Sequence, residues 1–152
     1  MQNFYRESNQ NVFFDLLPRD WKDAIALYWD QYSEDTSIYL LEIDGDIVAG
    51  GIVFGICPPD MLNNEQEAEK WLNDGYLYIG FVWVVEVFRN RKYGSKWLNT
   101  LIKEHPGQKY WLTIEEERLL SFYAKNGFRC IKTLRNGSDT EWLLIYEPSH
   151  CL

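Results

Sequence analysis

The sequence is organised around one long apolar segment, residues 76–87, and the basic turn that follows it. The segment is rich in aromatic and β-branched residues and contains no proline, a composition typical of a strand buried on both faces of a sheet. From Lys96 to Glu104 the apolar residues recur at helical spacing. The order strand, tight turn, helix predicts an anion site, because the first amides of a helix have no internal partners and the helix dipole adds partial positive charge.

The turn is also unusually basic for an acidic protein. The chain has a net charge of −8, yet four of its 15 Lys and Arg residues fall in the eight positions from 89 to 96. These residues are Arg89, Arg91, Lys92 and Lys96. From charge alone, two interpretations remain open: a phosphate-binding loop and a solvated basic turn.

Two sequence blocks resemble one known family. Arg89-Asn-Arg-Lys-Tyr-Gly-Ser95 resembles the pyrophosphate loop of the GNAT (GCN5-related N-acetyltransferase) family, which reads Arg/Gln-x-x-Gly-x-Gly/Ala after the fourth strand. Arg89 and Gly94 match this pattern, whereas Lys92 stands where the family usually has its first glycine. Residues 118–128 resemble the family's helix-to-strand signature, in which a Phe-Tyr pair precedes Lys-x-Gly-Phe. Both blocks occur in the family's order, so the chain is identified as a GNAT member over roughly residues 18–147.

The remaining apolar patterns predict the other elements. They indicate a first edge strand at Asn11–Leu17, an amphipathic helix over residues 18–32, a hairpin of Ile38–Ile43 and Ile47–Ile56 around Asp44-Gly45, a strand at Tyr110–Ile114, a helix ended by Gly127, and a hairpin of Phe128–Leu134 and Glu141–Glu147. Residues 60–75 are polar and acidic, and we expect a solvated surface helix there without a chemical role.

These elements predict an α/β fold with helices on both faces of a mixed sheet. The strand at 110–114 is expected to run parallel to the central strand, because a helix connects the two. The resemblance implies a mostly antiparallel sheet of six or seven strands, as in acyl-CoA N-acyltransferases. It also implies that the fourth and fifth strands splay apart to admit acetyl-CoA.

Length, charge and cysteine content restrict the class of protein. A chain of 152 residues is expected to form a single domain over residues 1–152. The acidic charge makes nucleic acid and anionic membranes poor partners. Cys57, Cys130 and Cys151 are widely spaced and odd in number, which favours reduced thiols and a cytoplasmic location. With only His105 and His150, neither a histidine-based metal site nor a Ser-His-Asp triad is expected.

The resemblance implies a cofactor site at the central strand and the basic turn. Acetyl-CoA would be the acyl donor, and a backbone N–H around Val84 would donate a hydrogen bond to the thioester carbonyl. Backbone amides from Arg91 to Lys96 would hold the pyrophosphate, and the four basic side chains named above would add charge. The residues implied are Val84, Arg89, Arg91, Lys92, Tyr93, Gly94, Ser95 and Lys96. A side chain at Lys92 blocks close approach and disfavours positive φ, although its ammonium group can contact a phosphate directly.

The resemblance also implies a catalytic tyrosine. Tyr123 falls on the family's tyrosine, the general acid toward the thiolate leaving group; the alternative is a core tyrosine with a capped hydroxyl. Family members with a side-chain base often carry Glu or His at the positions of Tyr78 or Gly80, and neither residue here is a good base. Glu115 or Glu116, just beyond the fifth strand, could act through a water, and Glu116 is the base we predict.

The acceptor is predicted to be an amine. Acidic and aromatic residues near the end of the first helix and in the final hairpin suit a cation, although ordinary solvated loops explain them equally well. These residues are Trp29, Asp30, Tyr32, Glu34, Asp35 and Asp139. The expected partners are coenzyme A and the amine, with a homodimer left open.

Two functions follow from these features. The first is an acetyl-CoA-dependent N-acetyltransferase that acts on a primary amine of a small molecule or protein by direct attack in a ternary complex. The alternative is a non-catalytic acyl-CoA-binding or interaction module on the same fold. Tyr123 and the basic turn favour the enzyme, whereas Lys92 and the missing strand base favour the module.

Overall fold

Seven strands form one mixed sheet, and helices pack on both of its faces. The computed structural model describes residues 1–148, apart from the side chain of Asn136. The strands are β1 (Gln2–Glu7), β2 (Thr36–Ile43), β3 (Asp46–Phe54), β4 (Tyr76–Val84), β5 (Lys109–Ile114), β6 (Arg129–Asn136) and β7 (Asp139–Tyr146). Their order is β1-β2-β3-β4-β5-β7-β6, and within the described residues β4 and β5 form the one parallel pair. The predicted α/β fold with a mostly antiparallel sheet is confirmed.

Six α-helices and three short 3₁₀ segments connect the strands of the described chain. The helices are α1 (Gln10–Phe14), α2 (Arg19–Ala26), α3 (Trp29–Tyr32), α4 (Glu65–Asn73), α5 (Tyr93–Glu104) and α6 (Leu119–Lys125). The 3₁₀ segments are Ser33–Asp35, Pro59–Asn64 and Glu86–Phe88. We refer to Pro59–Asn64 as the Asp60 loop. None of the helices between residues 1 and 148 combines the length and apolar composition needed to cross a membrane.

Two adjacent glycines in β3 show which helices lie on which face. A Cβ added at Gly50 would lie 2.5 Å from Phe13 of α1, whereas one added at Gly51 would lie 2.5 Å from Trp97 of α5. Because successive strand residues point to opposite faces, α1 and α5 cover opposite faces, called here the α1 face and the α5 face. Helix α6 belongs with α5, since the Asn126 amide donates to the Ser95 hydroxyl at 3.1 Å.

The predicted first strand is wrong in position. Residues 10–14 form α1, and the edge strand is β1, which pairs antiparallel with β2. The Asn9 side chain caps the helix by accepting the Asn11 amide at 3.2 Å, and Phe13 and Phe14 are buried. Such a short apolar run suits a strand or a helix equally well, so the cap decides between them.

The predicted helix over residues 18–32 is interrupted. Helix α2 ends at Ala26, and α3 begins at Trp29 after a residue, Tyr28, that is outside helical geometry (φ −111°, ψ 7°). The break allows Trp29 to pack edge-on against Phe14. The amphipathic pattern therefore predicts helical structure correctly, but the segment forms two helices, α2 and α3, because Trp29 packs against Phe14 of α1.

The turn predictions are confirmed. Asp44 and Gly45 both adopt positive φ (50° and 89°) between β2 and β3, as a two-residue hairpin turn requires. Gly127 has a φ of 92° and ends α6, where the Phe128 amide donates to the Tyr123 carbonyl at 3.0 Å. Cys57 and Cys130 are free thiols, whereas His150 and Cys151 lie outside the described residues.

Strands β4 and β5 are paired only where they begin. Their register covers Tyr76↔Lys109, Leu77↔Tyr110 and Tyr78↔Trp111, so the rest of β4 has no partner on that side. A bulge accompanies the split: the β3–β4 register shifts between Gly50 and Ile52, and Phe81 has a φ of 55°. Because bulges bend a strand and increase its twist, β4 turns away from β5.

Candidate active site

The split between β4 and β5 opens into a cavity of about 820 Å³. Its walls include the diverging ends of both strands, the basic turn, α6, α2 and the Asp60 loop. We call this cavity the cleft. The cleft is lined from both faces of the sheet, because α6 lies on the α5 face and the Asp60 loop reaches it from the α1 face.

The basic turn has the backbone of an anion site. Asn90 and Lys92 adopt left-handed conformations (φ 68° and 63°), and α5 begins directly afterwards with no side-chain cap. The Lys96 amide donates to the Lys92 carbonyl at 3.1 Å, so the amides of Tyr93, Gly94 and Ser95 precede the helical hydrogen bonds. Lys92 thus takes a glycine-like conformation, and the end of a 12-residue helix adds its dipole.

The backbone of Val84 faces the cleft. The next amide, that of Val85, donates to the Val48 carbonyl of β3 at 2.9 Å. Since successive N–H groups of a strand point to opposite sides, the Val84 N–H points away from β3. On the same side, its carbonyl accepts a hydrogen bond from Arg89 Nε at 3.1 Å. The predicted donor therefore lies at the open edge of β4.

Tyr123 lies on the wall formed by α6. Its ring packs edge-on against Phe122 and Phe128 at centroid distances of 5.0 and 5.6 Å. Burial raises the pKa of the phenol to about 12, so the hydroxyl is protonated throughout the physiological range. The hydroxyl has no hydrogen-bond partner among residues 1–148. Such a group is available to donate to an atom bound in the cleft.

On the α1 face, the cleft is acidic. Asp60, Glu115 and Glu141 line it together with Tyr78 and Thr113. The Tyr78 hydroxyl lies 3.5 Å from Asp60 Oδ2 and 3.0 Å from Thr113 Oγ1. Asp60 is exposed by surface area, but its carboxyl lies inside the cleft, where surrounding protein atoms displace water. This desolvation first, and then the nearby Glu141 and Glu115, raise the pKa of Asp60 to about 6, although the Tyr78 hydrogen bond opposes the shift. Residues 60–75, expected to form a solvated surface helix, therefore reach the cleft at Asp60.

The sequence model of the Acetyltransferase (GNAT) family matches residues 2–128, which is most of the chain. The matched range includes the split strands β4 and β5 and helix α6. The chain belongs to the GNAT acetyltransferase family. This membership confirms the resemblance, and the acetyl-CoA prediction with it, because the family uses acetyl-CoA as its co-substrate. No curated protein matches the chain by sequence.

Solved structures show the same GNAT fold at low sequence identity. The ribosomal-protein-S18-alanine N-acetyltransferase of Escherichia coli is 14% identical with a TM-score of 0.70, covering 99% of this chain and 96% of that one. A GNAT acetyltransferase of Elizabethkingia anophelis with acetyl-CoA bound is 18% identical (TM-score 0.63; coverage 96% and 97%). A Bacillus subtilis acetyltransferase in complex with CoA is 15% identical (TM-score 0.62; coverage 96% and 97%).

The residues of this GNAT chain fit acetyl-CoA at the α5 face. The free amides lie at the N-terminus of α5, the positive end of the helix dipole, where anionic phosphates bind favourably. The unpaired edge of β4 offers backbone hydrogen-bonding groups to the extended pantetheine arm of the cofactor. Gly94 lies between Val84 and Phe122, where an added Cβ would be 3.5 and 3.3 Å from their side chains. A glycine at this point keeps the helix end open to the cleft.

The eight predicted cofactor residues divide into two groups. Those that line the cleft are Val84, Arg89, Lys92, Tyr93 and Gly94. Arg89 stacks on the Trp83 ring at 4.5 Å, and Arg91, outside the cleft, lies over Phe88 at 5.9 Å. Ser95 and Lys96 also lie outside the cleft lining, and the Ser95 hydroxyl accepts the Asn126 hydrogen bond. Asn126 was missed, although it lies inside the second motif block.

Glu116, the predicted base, lines the cleft beside a cation. Its Oε2 lies 2.6 Å from Nη2 of Arg118, and both side chains are largely exposed. Glu115 lines the cleft as well. The structure thus brings Glu116 and Tyr123 to the same cavity but gives Glu116 an ion-pair partner.

The predicted acceptor residues lie away from the cleft. Trp29 packs on Phe14, and Tyr32 is buried against Phe54. None of the six predicted acceptor residues is among the described residues that line the cleft; Asp20 and Trp21 of α2 are there instead. Trp21 packs edge-on against Trp83 and Phe81, with ring centroids at 5.3 and 5.9 Å. The helical pattern had assigned Trp21 to the core, so it gave no signal for a binding role.

Proposed function

We propose that this protein is an N-acetyltransferase that moves the acetyl group of acetyl-CoA to a primary amine of a small molecule or protein. The observation that supports this function is the charge polarity of one continuous cleft. Its α5-face side has the basic turn and free helix amides, and its α1-face side has carboxylates. Donor and acceptor can therefore bind together, which supports direct attack in a ternary complex.

The chain's own groups supply the donor half of the reaction. Acetyl-CoA contributes an activated thioester. The Val84 N–H is placed to stabilise negative charge on the thioester oxygen, the role of an oxyanion donor. The Tyr123 hydroxyl is placed to donate to the leaving sulfur, and the basic turn with Gly94 holds the phosphates.

The acceptor half of the cleft favours a cation. Five carboxylates line it: Asp20, Asp60, Glu115, Glu116 and Glu141. Arg118 also lines the cleft and forms an ion pair with Glu116, so carboxylates still outnumber cations at this end. The aromatic rings of Trp21, Phe81 and Trp83 form the neighbouring wall, and aromatic faces attract an ammonium group. An anionic acceptor would meet repulsion at this end, so a primary amine is the acceptor that fits.

Release of free thiol from acetyl-CoA over a panel of primary amines tests this function. We expect amine-dependent release above the protein-free rate, with the acetylated amine as co-product. Tight coenzyme A binding without release on any amine would instead support the non-catalytic acyl-CoA-binding module.

Salt dependence tests the basic turn as the phosphate site. Exposed charge pairs are screened within about 8–10 Å at ordinary ionic strength, so coenzyme A binding should weaken as salt rises. Replacing Arg91 and Lys92 together by Ser should lower the affinity and flatten this dependence, as measured by calorimetry at several salt concentrations. The double variant Lys103→Ser, Arg135→Ser removes the same charge at exposed positions outside the cleft lining. This control should show the same salt dependence of coenzyme A affinity as the wild type. If the Arg91→Ser, Lys92→Ser variant also keeps the wild-type salt dependence, the phosphates bind elsewhere.

A further inference from the structure

We propose that Asp60 is the general base that takes the proton from the acceptor's ammonium group. The proposal rests on the proposed N-acetyltransferase function and identifies the missing base in it. Asp60 belongs to the Asp60 loop, and no local sequence pattern indicates that this loop contacts the central strand. It contacts β4 through Tyr78, 18 positions away in sequence.

Asp60 lies where the strands begin to diverge. Tyr78 is the last β4 residue paired with β5, and its hydroxyl lies 3.0 Å from Thr113 Oγ1, just beyond the last paired residue of β5. The Tyr78 hydroxyl also approaches Asp60 Oδ2 at 3.5 Å. This places the carboxylate at the closed end of the split.

Asp60 approaches the cleft from the α1 face. Gly50, Ile52 and Phe54 point to that face by strand alternation, and the Phe54 ring contacts the Tyr78 ring with centroids 6.0 Å apart. Tyr123 belongs to α6 on the opposite face. An amine that enters beside Asp60 therefore meets the cleft from the side opposite Tyr123, so the base and the acid act on opposite sides of the reacting carbon.

The surroundings of Asp60 suit a base that works near neutral pH. Four titratable groups face it: Tyr32 from α3, Tyr78 from β4, Glu115 after β5 and Glu141 from β7. The two glutamates disfavour its ionised form, and Tyr78, whose own pKa is raised well above the usual value by burial, acts only as a hydrogen-bond donor. A base with a pKa near the working pH combines the correct protonation state with useful basicity.

Two of the neighbouring carboxylates, Glu116 and Glu141, are less suitable. The Glu116 carboxylate already has a cationic partner, because its Oε2 lies 2.6 Å from Nη2 of Arg118. Glu141, in β7, is only 3% exposed. Asp60 combines exposure to the cleft with a hydrogen-bond donor, the Tyr78 hydroxyl at 3.5 Å.

The proton balance assigns one proton to Asp60. The carboxylate accepts a proton from R–NH₃⁺, and the freed nitrogen lone pair forms the new C–N bond. The C–S bond breaks with its electron pair on sulfur, and the second nitrogen proton goes to sulfur to give the thiol. Asp60 then returns its proton to solvent, so the reaction yields the amide, coenzyme A and one proton.

The test compares pH profiles of kcat/KM for the wild type and Asp60→Asn, using an alkylamine acceptor. In the wild type we expect an acidic limb with a midpoint of about 6, because activity requires the ionised carboxylate and falls as it is protonated. Asp60→Asn should lower kcat/KM by about 10²-fold or more and abolish this limb. Hydroxylamine is largely unprotonated at neutral pH and needs no base to form its free lone pair. With this acceptor, the kcat/KM of Asp60→Asn should fall far less.

Thermal unfolding distinguishes a lost base from a damaged fold. The folded pKa of Asp60 is raised to about 6 from 3.8, so its contribution to stability is fully present below about 3.8 and is lost as pH rises through 6. Asparagine does not titrate. Asp60→Asn should therefore unfold at a higher temperature than the wild type at pH 8, and this difference should vanish below pH 4.

Two variants complete the test. Asp46→Asn, an exposed carboxylate outside the cleft lining, should retain the wild-type rate and pH profile. If Asp60→Asn keeps the acidic limb while Glu116→Gln removes it, Glu116 is the base and the proposal is overturned. If the wild type releases no thiol with any amine, the proposed function fails and this role fails with it. If Asp60→Asn has the same kcat/KM as the wild type with the alkylamine, only the role of Asp60 is overturned.

Discussion

Replacing Tyr123 by phenylalanine is expected to lower kcat by about 10²-fold or more, the range typical of general acid–base groups. Coenzyme A affinity should change little, because the ring keeps its contacts with Phe122 and Phe128. The hydroxyl is the only group removed, and it has no hydrogen-bond partner among residues 1–148. Steady-state thiol release and calorimetry with coenzyme A measure the two quantities.

The pKa of Tyr123 determines what the hydroxyl does. With a pKa raised to about 12, the phenol is a far weaker acid than a thiol of pKa about 8.5. It therefore stabilises the leaving thiolate by a hydrogen bond more than by complete proton transfer. Since the phenol stays protonated up to about pH 10, loss of its proton should produce no basic limb in kcat below that pH.

A neighbouring tyrosine provides the control. Tyr146 packs against Phe128 with ring centroids 5.6 Å apart and does not line the cleft. Tyr146→Phe should keep the wild-type rate. If Tyr123→Phe keeps its rate but loses thermal stability, Tyr123 is a core residue and not the acid.

Local patterns predicted the half of the cleft that we propose to bind acetyl-CoA. The apolar run of β4, the basic turn and the start of α5 are continuous in sequence, so composition and helix geometry were sufficient to place them together. Tyr123 came from a motif that also contains Gly127, whose positive φ ends the helix. Lys92 departs from the family pattern, yet its φ of 63° keeps the turn's backbone geometry.

The acceptor half could not be predicted in this way. Its residues come from α2, the Asp60 loop, the end of β5 and β7, and only the sheet order brings these segments together. Asp60 lies in a polar stretch whose local pattern is that of a solvated helix. Its role depends on contact with Tyr78 and on the nearby Glu141, 81 positions away in sequence, and neither relation has a local signature.

The misplaced first strand has a different cause. The run from Asn11 to Leu17 is too short for its apolar periodicity to separate a strand from a helix. The deciding interaction is the Asn9 cap, one hydrogen bond at 3.2 Å. The break at Tyr28, in contrast, depends on tertiary packing of Trp29 against Phe14.

Replacing Gly94 by glutamate is expected to weaken coenzyme A binding by at least about 10²-fold. Gly94 is the second residue of α5 and lines the cleft, and its φ is not positive, so a side chain is compatible with the backbone. The new carboxylate would lie among the amides that are to hold phosphate. Two like charges about 4 Å apart repel by about 4 kcal/mol at an effective dielectric constant of about 20, and each 1.4 kcal/mol corresponds to about tenfold in affinity.

Gly94→Gln separates this charge from the bulk of the side chain. A Cβ at this position would lie 3.3 Å from Phe122 Cζ and 3.5 Å from Val84 Cγ2, so both variants displace these side chains slightly and to the same extent. The Gly94→Gln variant should therefore lose only the part of the coenzyme A affinity that depends on side-chain bulk. The further loss of affinity in Gly94→Glu measures how close the phosphates lie to residue 94. Calorimetry with coenzyme A gives the affinities, and circular dichroism verifies the fold. If a folded Gly94→Glu variant binds coenzyme A as tightly as the wild type, the basic turn is not part of the cofactor site. A phosphate bound at these amides would be repelled by the adjacent carboxylate, and the affinity would fall.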